Sequence, residues 1–140
     1  MEQILLVRVK EQLIRHEGLR LKPYHCTAGK LTIGVGRNLD DCGISKPEAM
    51  VLLDNDILCC ETELLEHLPA IYAGLNDTRK AVLVSMCFNL GISGLLGFKN
   101  TLAFISDGDF ERAANNMLAS KWAKQVGLRA IELSEQMRKG

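Results

Sequence analysis

From Glu2 to His16 the apolar residues Ile4, Leu5, Val9, Leu13 and Ile14 recur at helical spacing, with Arg8, Glu11, Gln12 and Arg15 between them. This predicts an amphipathic helix, with Gly18 as its terminator just past Glu17. The period then changes. Leu21-Lys22-Pro23-Tyr24, a Thr27-Ala28-Gly29-Lys30 turn and an alternating Leu31-Thr32-Ile33-Gly34-Val35-Gly36 segment predict a short hairpin, in which Pro23 confines its strand to an edge. Ser45-Lys46-Pro47-Glu48 is a capping box opening a helix to about His67, and Pro69 limits that helix. Asn76-Asp77-Thr78-Arg79 starts the expected core helix, which runs through Val82, Leu83, Met86, Cys87 and Leu90 to Gly91. Asn100 to Ser106, Asp109 to Ala119 and Leu128 to Arg138 read as three shorter helices.

Helix, small hairpin, then helices only is the pattern of an α+β domain with a minimal sheet beside a helical body. The 140 residues fit one domain, 1–140, with a hairpin-containing lobe at about 17–42; a chain this long buries roughly 68% of its unfolded surface. A cleft between the two parts is the expected ligand site.

Charge narrows the function. Lys plus Arg and Asp plus Glu both number 17, which argues against a protein that coats nucleic acid or anionic membrane. Five cysteines without a Cys-x-x-Cys pair or a His cluster at zinc spacing disfavour both a disulfide framework and a metal site. A reducing cytosol is the expected home. The first ten residues carry charges every few positions and hold no apolar block suited to a signal peptide or a membrane span. If the target lies outside the cytosol, another factor must deliver the protein.

The candidate chemistry is concentrated in Glu17, Cys26 and Thr32, with eight residues between the first two and five between the last two. An acid at a helix end against a hairpin can protonate the leaving oxygen of a glycoside. Such an acid needs its pKa raised, which the apolar wall of a cleft would supply. As a thiol with an ordinary pKa of ~8.5, Cys26 is a poor base but, when ionised, an excellent nucleophile. Its open roles are base toward water, nucleophile toward sugar, or lining of the site. Thr32 has a strand former's side chain and also a hydroxyl placed to face the acid.

Through Glu17-Gly18, the spacing to Cys26 and Thr32, and Thr32-Ile33-Gly34-Val35-Gly36, the chain resembles the bacteriophage-type lysozymes, or endolysins, of glycoside hydrolase family 24. Supporting matches are Arg79, Ala81, Phe88-Asn89-Leu90-Gly91, Gly97-Phe98, Asn100-Thr101-Leu102, Trp122 and Gly127-Leu128. The resemblance implies a lysozyme-like fold whose small sheet forms one side of the active-site cleft. It also implies a peptidoglycan muramidase that cleaves between N-acetylmuramic acid and N-acetylglucosamine and lyses bacteria.

In that setting Glu17 is the general acid and Thr32 holds the attacking water, while Cys26 stands where Asp is usual. Phe88, Asn89 and Asn116 match positions along the glycan groove, and Arg129 a basic position reaching toward the acid. Ile131 and Glu132 depart from the paired arginines usual in the last helix. Phe88 on its own also reads as core, and Trp122 reads as core rather than as a sugar platform. Cys42, Cys59, Cys60 and Cys87 read as small buried hydrophobes, and His16 and His25 as surface residues.

No cofactor is implied. The expected partner is the peptidoglycan glycan strand, with a monomer in the host cytoplasm reaching the periplasmic wall after release, through a holin by family analogy. Two other readings follow from the same residues: a Cys-dependent wall peptidase or amidase with His16 or His25 as base, and an inactive wall-binding phage protein.

Overall fold

The computed structural model describes all residues, Met1–Gly140. They form two compact units, Met1–Val51 and Leu52–Gly140. The fold is mostly helical with one small antiparallel sheet, as the period changes along the sequence predict.

In the first unit, α1 (Gln3–Glu17) stops at Gly18, whose φ of 79° an L side chain rarely adopts. Strands β1 (Arg20–His25), β2 (Leu31–Gly34) and β3 (Arg37–Asn38) follow in the order β1-β2-β3. Tyr24 faces Thr32 and His25 faces Leu31, while the register is irregular between Arg20 and Tyr24. That irregular stretch holds Pro23, which has no N–H for a ladder, and β1 is an edge strand as Pro23 requires. Two short elements escaped the periodicity: β3, and α2 (Leu39–Cys42), which Asn38 caps by accepting from the Asp41 N–H.

The chain then enters α3 (Lys46–His67) through the expected capping box. Glu48 N–H donates to Ser45 Oγ at 3.3 Å, and Ser45 N–H donates to Glu48 Oε1 at 2.8 Å. Glu48 also receives a two-pronged bond from the Arg37 guanidinium, at 3.0 and 2.7 Å, the geometry in which a fork of donors matches a carboxylate. The apolar face predicted for α1 is present as a pattern but is not covered: Ile4, Leu5, Leu13 and Ile14 are exposed, and α1 has no buried residue.

The second unit holds the apolar core. Helix α5 (Asp77–Leu96) contributes Val82, Leu83, Met86, Cys87 and Leu95, and Asn76 caps it by accepting from the Arg79 N–H. Gly91, at φ 74° and ψ 162°, breaks the helix where the sequence predicts, yet the chain resumes helical geometry beyond it. By length and composition α5 passes for a membrane span, but these buried side chains make it the core helix.

Around it lie α4 (Pro69–Ala73), α6 (Lys99–Ser106), α7 (Phe110–Leu118), α8 (Lys121–Val126) and α9 (Leu128–Lys139). Helices α4 and α8, of five and six residues, are too short to show a period. Leu64, Met117 and Met137 are fully buried with α5, and Phe98 meets Trp122 edge to face, with ring centroids 6.0 Å apart. Arg79 joins the start of α5 to the end of α9. Its Nε donates to Met137 O at 2.8 Å, its Nη2 donates to Arg138 O at 3.0 Å, and its Cζ lies 3.5 Å from the Phe110 ring centroid.

Cys60 and Cys87 are buried as expected, whereas Cys42 and Cys59 are exposed. For Cys59 the reason is helical geometry. It adjoins Cys60, so the two project about 100° apart, and only Cys60 meets the core.

Two stability predictions follow. The Arg37 fork, with help from the Ser45 N–H and hydroxyl, holds Glu48 down at about 2, below an ordinary 4.5. A depressed folded pKa stabilises above the unfolded pKa and ceases to do so as pH falls through the folded one. The thermal stability gap between the native protein and Glu48→Gln should therefore be full above about pH 4.5 and close as pH falls toward 2; a gap independent of pH would show that charge is not its source. Arg79→Met keeps much of the stem but strips both α9 carbonyls of a charged donor, so it should cost about 2 to 3 kcal/mol by urea denaturation. An unchanged midpoint would mean that water replaces the guanidinium at no cost.

Candidate active site

The three residues with the most specific spacing all lie in the first unit, on the end of α1 and the hairpin. The β1–β2 connection closes on itself, with Cys26 N–H donating to Lys30 O at 2.9 Å and Gly29 N–H to Cys26 O at 2.8 Å. Gly29, at φ 78°, makes that turn possible. The closure brings β2 back beside Cys26, and the Thr32 hydroxyl comes within hydrogen-bond reach of the thiol. Thr32 is 3% exposed, and its hydroxyl donates to Lys30 O at 2.9 Å.

The thiol is tuned by this turn. The Lys30 and Ala28 backbone N–H groups, and then the Thr32 hydroxyl, favour the thiolate and bring the Cys26 pKa below its ordinary value against a smaller opposing effect of burial. Cys87 shows the reverse case, since burial pushes its thiol up to about 12. Neither His16 nor His25 is among the groups acting on Cys26, and both are exposed.

Glu17 is exposed, so the apolar wall expected over the acid is not what it meets. Its carboxylate lies against Gly36, in the turn between β2 and β3. A methyl group at Gly36 would sit 2.9 Å from Glu17 Oε2 and 3.3 Å from the carboxyl carbon. The sequence pattern registers Gly36 as punctuation in an alternating strand, which says nothing about which glycine faces the acid.

Also unanticipated are the clasps around the hairpin. Leu31 N–H donates to Asp40 Oδ2 at 2.8 Å, Lys30 pairs with Asp41 at 3.2 Å, and Arg37 Nη1 donates to Gly43 O at 3.0 Å beside its Glu48 pair. Asp40 and Asp41 lie in the first turn of α2, an element the periodicity did not show.

The second unit divides the other candidates between two grooves. One, of about 690 Å³, is lined by Phe98, Lys99, Asn100, Asn116, Ser120 and Trp122 among others. There the buried Thr101 hydroxyl donates to Asn116 Oδ1. The other, of about 600 Å³, includes Ile57, Tyr72, Lys80, Phe88 and Arg129. Phe88 is 46% exposed, against its reading as plain core, and Arg129 Nη2 donates to Ser85 O at 3.3 Å. Asn89 lines neither groove; its Oδ1 accepts from the buried Trp122 Nε1 at 2.8 Å, which gives the indole the partner its burial demands.

The chain is similar to several known proteins. The chain is 27% identical over 151 residues to the pre-baseplate central spike protein Gp5 of Enterobacteria phage T4, covering 89% of this chain and 26% of that protein, about a quarter of its length. It is 28% identical over 147 residues to probable T4-type lysozyme 1 of Dictyostelium discoideum, covering 84% and 86% of the two chains. An endolysin of Acyrthosiphon pisum secondary endosymbiont phage 1 is 32% identical over 114 residues, covering 79% and 73%. The phage lysozyme family model matches residues 14–138, from inside α1 to inside α9, and the chain belongs to the phage lysozyme family.

Proposed function

We propose that this chain is a peptidoglycan muramidase that hydrolyses the β-1,4 bond between N-acetylmuramic acid and N-acetylglucosamine. The observation that carries the reading is the pairing of chemistries on one unit: an acid at the end of α1 against Gly36, and a thiol beside a buried hydroxyl on the adjoining hairpin. Family membership supports a glycoside hydrolase, and the relatives named lysozymes and endolysin support peptidoglycan as substrate.

Glu17, protonated, gives its proton to the leaving glycosidic oxygen as the bond to the anomeric carbon breaks, and positive charge develops on the sugar. Cys26 meets that charge as a thiolate, favoured by the Lys30 and Ala28 N–H groups. If the thiolate takes a proton from water as water attacks, the product anomer is inverted; if sulfur attacks first and water then displaces it, configuration is retained. Phe88, Asn116 and Arg129 are proposed to contact the glycan strand, whereas Asn89 is held by Trp122. Action on the wall follows release from the host cytoplasm by a membrane-permeabilising partner. That neither His16 nor His25 acts on the Cys26 thiol weighs against the peptidase reading.

Two outcomes test the reading. Glu17→Gln should lower the release of sugar reducing ends from purified peptidoglycan by about 10²–10⁴-fold while leaving thermal unfolding in place. Release of free amines instead of reducing ends by the native protein would assign it to the wall peptides. For Cys26 the sign follows from ionisation: thiolate accumulates as pH rises through a pKa below the ordinary thiol value, so kcat/KM should rise across that window. Cys26→Asp should abolish this rise while retaining turnover, and Cys26→Ser should lose turnover. A fully active Cys26→Ser would reduce the thiol to lining, and NMR of the product anomer assigns the route.

A further inference from the structure

We propose that Gly36 is a positioning residue for Glu17: its bare Cα is the wall on which the acid's carboxylate rests. The inference rests on the reading of Glu17 as general acid and deepens it. Two glycines flank Val35 in the β2–β3 turn, and both are left-handed, Gly34 at φ 70° and Gly36 at φ 68°. Backbone geometry therefore asks for glycine at both positions.

The space around them differs. A methyl group at Gly34 would meet nothing within 4 Å, whereas at Gly36 it would meet Oε2, the carboxyl carbon and Cγ of Glu17, at 2.9, 3.3 and 3.3 Å. Gly36 is thus set apart from Gly34: both answer to their dihedral angles, but only at Gly36 would a methyl group force the acid to move. The wall is also fixed. The next residue, Arg37, pairs with Ile33 across β2–β3 and is anchored through its guanidinium to Gly43 O and both oxygens of Glu48. Glu17 is exposed, so contact with a fixed backbone restricts a carboxylate that solvent alone would leave free among rotamers.

Gly34→Ala and Gly36→Ala separate the two requirements, because they carry the same left-handed strain and only the second displaces the acid. The flexible end of Glu17 yields more readily than the backbone, so both variants should show similar drops in thermal stability. In Gly36→Ala, kcat for reducing-end release should fall about a hundred-fold, as expected for a displaced catalytic group, with KM little changed. Gly34→Ala should keep kcat near that of the unaltered protein. Equal kcat in the two variants overturns the proposal.

An activity-free measurement decides it where either variant fails to fold. In the unaltered protein, proton NMR should show a nuclear Overhauser contact between the Glu17 γ protons and the Gly36 α protons, and its absence overturns the proposal. If the unaltered protein releases no reducing ends, the muramidase reading fails, while the Overhauser contact still answers for the wall.

Discussion

Residues 1–51 hold their shape with hydrogen bonds rather than with a core, because Thr32 is the one buried residue among them. Strands of six, four and two residues cannot bury enough apolar surface to fix their own positions. The polar clasps act in its place: Asp40 on the Leu31 N–H, Asp41 on Lys30, and Glu48 on Arg37. Glu48 also closes the capping box, so one carboxylate ties the last strand to the first turn of α3. Both halves of the candidate chemistry depend on these ties, since Cys26 and Thr32 sit at one end of β2 and Gly36 lies just past the other.

Why a thiol can stand at this position follows from the same turn. A carboxylate is ionised at neutral pH without help, whereas a thiol requires donors aimed at it. The Cys26 turn presents the backbone N–H groups of Lys30 and Ala28. Burial alone would act in the opposite direction, as it does at Cys87. The two thiols share a chemistry and differ in surroundings, and those surroundings decide which one can act as an anion.

The legible parts of this chain are those written in local signals. Gly18, the Ser45-to-Glu48 box and Asn76 each mark a helix boundary by a backbone requirement or a cap, and each boundary lies where its residue says; Gly91 marks a break within α5 rather than its end. Pro23 placed its strand at the edge for the same kind of reason. Elements of two to six residues, such as β3, α4 and α8, contain too little sequence to show a period. Burial was less legible than structure. Cys59 and Cys60 are identical in sequence terms, and tertiary packing alone selects which faces inward. In the candidate site, spacing identified Glu17, Cys26 and Thr32, but the Arg37–Glu48 tie and the special role of Gly36 are contacts between segments, invisible until the chain is folded. Asn89 illustrates the converse: a position assigned to the groove by resemblance accepts from Trp122 instead.

The spacing itself acquires a physical meaning from this architecture. The eight residues from Glu17 to Cys26 contain the helix stop and all of β1, and the five from Cys26 to Thr32 contain the turn that closes on the Cys26 backbone and favours its thiolate. Side chains alternate along β2, so a slip of one residue in that turn would send the Thr32 hydroxyl to the opposite face. Four further residues reach Gly36, which makes β2 and its following turn a ruler between thiol and acid. The spacing is therefore the length of chain needed to leave a helix, form an edge strand, turn around a thiol and return to the helix end. Residue identity is freer than this length, as a cysteine in a carboxylate's place shows, provided the turn supplies the donors that the substitute needs.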